Sequence, residues 1–260
     1  MRFNGKRALV TGAGQGIGRC VALALVLAGA AVGFIDKNGA AGRRTAQWIE
    51  AAGGEGWFFE GDLADAPQLT AFADAAIARF GQIDLIVNNA CYSNGGLRSR
   101  CDRDGLMEVL AVGVAAPYEL VRLLGGALAP GAAIVNIGST RAHMSQADSE
   151  SYAAAKGGIL ALTHAMAASL AGRARVNLIS PGWIDTAPYV DGGQVGQHSA
   201  ADRAQHFAGR VGRCEDIATA ALFLLHEDAS FIDGAELVVD GGMTRRMIYH
   251  GDENWALSAP

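Results

Sequence analysis

The chain has 260 residues, half of them apolar and only 18% charged, a composition that excludes intrinsic disorder and buries a core without disulfides or a metal. Glycine is in excess at 35 residues, but six prolines and the lack of a Gly-X-Y period exclude a collagen or linker reading. A net charge of −5 carries no basic footprint for nucleic acid.

Residues 7–11 (RALVT) read as a strand that runs into a glycine-rich turn and then an apolar helix over residues 16–28. Strands follow at 31–35, 56–60, 83–89, 132–139, 174–180 and 235–240. Helical patterns occupy 40–52 and 65–80, with Pro67 in the first turn of the latter, and helices flank the fifth strand. Strands alternating with helices predict a Rossmann-type α/β domain, a doubly wound parallel sheet covered on both faces. The uncharged run 20–35 is too short to span a membrane and reads as buried helix followed by buried strand. Residues 1–260 read as one domain, with 94–104 as a polar loop rim, 188–209 as a substrate lid and 243–260 as a tail. That tail carries Tyr249 and Trp255, two aromatics suited to docking on this subunit or another. Cys20, Cys91, Cys101 and Cys214 form no CxxC pair and match no zinc spacing. They read as free thiols of a cytoplasmic protein, Cys20 in the core, with no metal site and no membrane partner.

The turn TGAGQGIG (11–18) stands between strand and helix, the context that makes a glycine motif specific for a dinucleotide. Gly12 permits a tight turn, Gly16 clears the approach of a pyrophosphate to the helix N-terminus, and Gly18 lets helix lie against strand. Asp36 closes the second strand, where a carboxylate accepts both ribose hydroxyls and repels a 2′-phosphate, so NAD is the expected cofactor. Lys37 and Arg43 stand close enough in sequence to soften that repulsion.

Tyr152 and Lys156 lie four apart in YAAAK, on one face of a helix. An ammonium beside a phenol favours the phenolate, which lets a group of reference pKa ~10 work as acid or base near neutrality. Ser139 closes the fifth strand, at the end where parallel sheets present ligand-facing groups, and its hydroxyl suits a substrate oxygen.

With TGAGQGIG, Asp62-Leu63, NNA at 88–90, Ser139 thirteen residues before YAAAK, and PGWIDT from Pro181, the chain resembles the short-chain dehydrogenase/reductase family over residues 6–243. The resemblance implies seven strands in the order 3-2-1-4-5-6-7. It implies Tyr152 as acid/base, Lys156 on the nicotinamide ribose and Ser139 on the reacting oxygen. The implied cofactor set is Gly12, Gln15, Gly16, Ile17, Gly18, Asp36, Asp62, Leu63, Asn89, Ala90, Tyr152, Lys156, Pro181, Gly182, Ile184 and Thr186. Asp62 and Leu63 flank the adenine in this reading, Asn89 and Ala90 line the cofactor, and Ile184 and Thr186 meet the carboxamide side of the nicotinamide. A homotetramer, with the last strand and tail at an interface, is implied too.

Two departures from the family pattern stand out. Gly113 occupies a position where the family usually carries an asparagine of the proton relay, and reads as a missing side chain. Cys91 stands where NNAG would place glycine, narrowing the space beside the nicotinamide.

The expected activity is the NAD-dependent interconversion of a secondary alcohol and a ketone, the substrate a small polyol, sugar or cyclic alcohol. The alternative is a non-catalytic NAD-binding regulator on the same scaffold. Candidate substrate contacts are Cys91, Ser139, Arg141, His143, Tyr152 and Trp183, with Tyr92 and the lid residues Tyr189 and His198 beside them. Arg141 either meets a substrate carboxylate or braces the loop against Asp148 or Glu150.

Overall fold

Strands apolar on both faces need cover on both faces, and that requirement builds the molecule. The computed structural model describes residues 2–247. Its strands are β1 (Arg7–Thr11), β2 (Ala31–Asp36), β3 (Gly56–Glu60), β4 (Ile83–Asn88), β5 (Leu128–Ile137), β6 (Ala174–Pro181), β7 (Ile184–Asp185), β8 (Gly212–Arg213) and β9 (Glu236–Val239). The helices are α1 (Gly16–Leu27), α2 (Gly39–Ala51), α3 (Ala66–Phe80), α4 (Arg103–Leu110), α5 (Ala116–Leu124), α6 (Glu150–Ser169), α7 (Ala200–Ala204) and α8 (Cys214–Leu225). A seven-stranded parallel sheet runs in the order β3-β2-β1-β4-β5-β6-β9, the expected order with β9 as the seventh strand.

Alternation along β5 shows how one strand serves two cores. Ala133, Val135 and Ile137 pack toward α1 and α8, with Cys20, Val21, Leu25 and Ile217. Ala132 and Ile134 pack toward α3, α5 and α6, with Phe72, Leu120 and Met166. Winding reverses between β1 and β4, so a crevice opens beyond their C-terminal ends, the usual ligand position in such sheets. No helix among the described residues is long and apolar enough to cross a membrane.

Several boundaries differ from the sequence reading. β5 begins at Leu128 rather than at 132, because a register shift between Ile83 and Leu85 lets it pair with β4 on both sides of Pro130-Gly131. It ends at Ile137, its last partner across β6 being Ile179, so Ser139 lies beyond the strand. Asp65 precedes its helix as a cap, its carboxylate accepting from the Gln68 N–H at 3.1 Å.

Two features went unpredicted. β7 and β8, on either side of residues 188–209, pair as a small parallel ribbon. A π turn, Ala111–Ala115, joins α4 to α5. Its cause is Pro117, which cannot donate to the carbonyl of residue 113 and crowds it, so the helix widens there.

Candidate functional site

The glycine turn is a backbone device. Gly12 has φ +66, a left-handed conformation, and its N–H donates to the Ile35 carbonyl at 2.8 Å. A Cβ on Gly18 would overlap the Gly12 carbonyl oxygen, so the helix meets the turn only through a residue without a side chain. Asn89 clamps the same turn: its Nδ2 donates to the Thr11 and Gly12 carbonyls at 3.0 Å each. Thr11 Oγ1 in return accepts from the N–H of Asn89 at 3.0 Å and of Ala90 at 3.2 Å.

No side chain caps α1, and its first turn opens on the cleft at Gln15, Gly16 and Ile17. Open N–H groups at a helix start, beside positions with no Cβ, form an anion cradle that suits a pyrophosphate. Asp36 is fixed beside it, one carboxylate oxygen accepting from Gly14 N–H at 2.8 Å and the other from Asn38 N–H at 2.9 Å. Arg43 is turned away onto Glu60 at 2.7 Å, and Lys37 lies over the Tyr92 ring, 4.7 Å from its centroid.

At the other end of the cleft, Ser139, Tyr152 and Lys156 converge from two elements. Ser139 caps a 3-10 turn (Thr140–Ala142), its Oγ accepting from Arg141 N–H at 3.2 Å. Its own hydrogen is thereby left for a ligand oxygen. Lys156 is buried on α6, and its Nζ donates to the Ile137 carbonyl at 2.7 Å while standing 5.3 Å from the Tyr152 ring centroid. β5 and α6 are thus fastened together at the site.

Gly113 is not an empty position, contrary to the expectation. A Cβ there would stand 2.9 Å from Ala155 Cβ and 3.0 Å from Cys91 Sγ. The sulfur fills the space beside the π turn, so the two departures from the family pattern are one packing solution. A side chain at 113 therefore meets α6 at Ala155 as well as the Cys91 sulfur.

The cleft measures about 670 Å³. It is lined by Gly12, Gln15, Gly16, Ile17, Asp36, Asp62, Leu63, Asn89, Ala90, Pro181, Gly182, Ile184 and Thr186 as well as by Cys91, Ser139, Tyr152 and Lys156. Gly18 stays behind the turn and does not line it.

Three expected substrate contacts are elsewhere. Arg141 hydrogen-bonds Gln146 and braces its loop there, not on Asp148 or Glu150. His143 sits on the Glu236 carboxylate at 2.8 and 2.9 Å. Trp183 packs against His198 and His206, ring centroids 5.6 and 6.1 Å away. None of the three lines the cleft, because each found a partner outside it.

Of residues 188–209, expected as a lid, only Val190 lines the cleft. The Tyr189 hydroxyl donates to Glu215 at 2.9 Å, and burial with that carboxylate and Cys20 pushes its pKa up. His198 lies 3.2 Å from Asp185, whose carboxyl burial alone would raise but which the N–H groups of Gly196 and Ala187 hold below the usual range. The end of the tail, with Tyr249 and Trp255, lies outside the described residues.

Sequence reasoning missed Gly61, Val112, Ile137 and Gly138 as lining residues and overlooked Arg19, which is fully buried beneath the glycine turn. The signal was present: an arginine opening an otherwise uncharged buried helix needs partners.

The cysteines divide by burial. Burial pushes the Cys20 thiol up to about 11 and the Cys214 thiol up to about 12, whereas Cys91 and Cys101 are partly accessible. A maleimide followed by mass spectrometry is expected to label Cys91 and Cys101 in the native protein and Cys20 and Cys214 only after denaturation. Rapid native labelling of Cys20 would contradict this packing.

A family profile described as Enoyl-(Acyl carrier protein) reductase matches residues 12–244. An uncharacterized oxidoreductase of Thermotoga maritima is 36% identical, covering 95% of this chain and 99% of its own. D-threitol dehydrogenase of Mycolicibacterium smegmatis is 34% identical, covering 94% of both chains. Cyclohexanol dehydrogenase of an Acinetobacter species is 33% identical, covering 94% of this chain and 97% of its own.

Among solved structures, an apo SCOR enzyme from Clostridium thermocellum superposes with a TM-score of 0.88 at 41% identity, covering 98% of this chain and 99% of its own. A 7α-hydroxysteroid dehydrogenase complexed with NADH and 7-oxo glycochenodeoxycholic acid gives 0.84 at 32% identity, covering 93% and 95%. A blue fluorescent protein from a metagenomic library, in complex with NADPH, gives 0.84 at 30%, covering 94% and 99%. Likeness of this extent, on a sheet wound in the same order, makes the chain an oxidoreductase of the short-chain dehydrogenase/reductase family in its single-domain form.

Proposed function

We propose that the protein is an NAD-dependent oxidoreductase that interconverts a small neutral secondary alcohol and its ketone. The observation that carries this reading is the convergence of Ser139, Tyr152 and Lys156 at one end of the cleft, with Asp36 and the open start of α1 at the other. Nicotinamide, when bound, supplies hydride transfer. Ser139 donates its free hydrogen to the substrate oxygen. Tyr152 takes the alcohol proton in oxidation and returns it in reduction. Lys156, one N–H spent on Ile137, directs the others toward the nicotinamide ribose and the phenol oxygen.

Asp36 supports NAD over NADP. Its two oxygens each carry one backbone N–H and keep lone pairs for the ribose hydroxyls, while its charge repels a 2′-phosphate. With Arg43 held by Glu60, the softening considered from the sequence falls to Lys37 alone. The D36A variant is expected to lower the ratio of kcat/KM for NAD to that for NADP by about 100-fold. An unchanged ratio would remove Asp36 from cofactor choice.

For the substrate, no arginine among the described residues lines the cleft, and Arg141 is engaged with Gln146. A neutral polyol or cyclic alcohol therefore fits better than a carboxylate, and the relatives named for threitol and cyclohexanol agree in kind. A panel of such alcohols with NAD, followed by NADH absorbance, tests the reading directly. NAD binding without turnover on any alcohol or ketone would favour the non-catalytic regulator.

The homotetramer expected from the family is retained as part of this reading. The sheet edge at β9 exposes Leu237, with Phe223 and Phe231 also exposed, as a subunit interface requires. Light scattering that returns a monomer would remove it.

A further inference from the structure

Among the described residues the largest fully buried side chain is a charged one, Arg19 on α1. Four of its contacts are scaffold. Nε donates to Thr45 Oγ1 at 2.8 Å, one terminal nitrogen donates to the carbonyls of Gly14 and, at 3.2 Å, Ala41, and the guanidinium lies 4.9 Å from the Trp48 ring centroid. The fifth contact is different in kind. The other terminal nitrogen donates to Asp191 Oδ1 at 2.7 Å, and among the described residues Asp191 is the only carboxylate paired with this buried cation.

Asp191 does not belong to the scaffold. It follows the 3-10 turn Ala187–Tyr189 in the segment that roofs the glycine turn. Val190, its neighbour, lines the cleft, and Thr186 stands over Gly16, where a Cβ would be 3.5 Å away. The pair thus joins the floor of the cofactor turn, through Gly14, to its roof. Lifting the roof strands a buried guanidinium without its counter-ion, a costly state. Tyr189 anchors the segment as well, donating to Glu215 at 2.9 Å and packing beside Trp48 with 6.4 Å between ring centroids, but it supplies no charge to Arg19.

We propose that Arg19 and Asp191 are positioning residues that latch residues 186–191 over the cofactor turn before any cofactor binds and slow its release afterwards. The second half of this rests on the reading of the cleft as a dinucleotide site; the first does not. The Arg19 guanidinium holds the Asp191 carboxyl below the usual carboxylate range, so the latch stays charged through neutral conditions.

Hydrogen exchange on the cofactor-free protein tests the latch. In D191A, peptides covering residues 186–195 are expected to exchange about tenfold faster than in wild type, with β4 and β5 peptides unchanged. D191N is expected to match D191A, because it keeps an acceptor and loses the charge. In stopped flow both variants are expected to release NADH about tenfold faster, raising KM for NAD while KM for the alcohol holds. Wild-type exchange rates in D191A, or in D191N, would overturn the latch, the latter by showing that a hydrogen bond suffices. An R19M background, where it folds, is expected to make D191A nearly silent, and a full effect there would overturn the pairing. Failure of the wild-type protein to bind NADH would remove the cofactor reading, and the exchange comparison would still decide the latch.

Discussion

The Y152F variant is expected to lose about 10³-fold in kcat for alcohol oxidation and to keep its affinity for NADH within about twofold. The substitution removes one oxygen and leaves the ring. Lys156 keeps its seat, because its Nζ is held by the Ile137 carbonyl and not by the phenol. Ser139 keeps its orientation through Arg141 N–H. What disappears is the hydroxyl that the proposed mechanism uses to take the proton, so the loss is expected to fall on the chemical step. Steady-state kinetics together with fluorescence titration of NADH separate the two terms. A variant that retains a tenth of wild-type kcat would mean that another group carries the proton. A parallel loss of NADH affinity would mean that the phenol serves binding instead.

The second large effect is on stability. G18A is expected to destabilise the fold by about 3 kcal/mol, since overfilling a packed site costs 1–3 kcal/mol and this obstacle is backbone. The added Cβ would overlap the Gly12 carbonyl oxygen and stand 2.9 Å from its carbon. Gly12 cannot retreat, because its N–H is tied to Ile35 and its carbonyl to the Asn89 amide. Thermal unfolding is expected to shift down by roughly 10 °C. G157A is the matched control: it lies within α6, where an added Cβ meets nothing within 4 Å. There alanine's helix propensity predicts a gain of about 0.5–1 kcal/mol. Equal melting temperatures for G18A and G157A would show that the turn yields, and that Gly18 is not required for the approach of α1 to β1.

Much of the fold was legible because it rests on local pattern. Runs such as LVT and LIVNN, apolar on both faces, mark strands covered on both sides, and their alternation with helical stretches implies the parallel sheet. The turn was legible because glycine at 12, 16 and 18 has few other uses between a strand and a helix. Tyr152 and Lys156 were legible because spacing alone puts residues four apart on one helix face. The π turn escaped because its cause, Pro117, stands beyond the widening it produces, two residues after Ala115. The early start of β5 escaped because Pro130 and Gly131 read as a break when they form an interruption within a paired strand.

Polar side chains were the least legible. Arg141, His143 and Trp183 stood near Ser139 or the 181–186 segment in sequence, and each was expected in the cleft. Gln146, Glu236 and a pair of histidines claimed them instead. Arg19, unremarked in the sequence, became the buried centre of five contacts. Gly113 read as a deficiency until Cys91 and Ala155 proved to fill its surroundings.

By itself, then, the sequence determined the strand and helix order, the glycine cradle and the shared face of Tyr152 and Lys156. Each of these follows from backbone conformation and burial, which periodicity over a few residues records. Tertiary structure alone decided where the other charges went: Arg43 onto Glu60, Arg141 onto Gln146 and out of the cleft, and Arg19 onto an aspartate 172 positions away. A polar group's destination depends on competition among donors and acceptors that the crossovers bring together. That competition takes place between segments far apart in the chain, where no local pattern reaches.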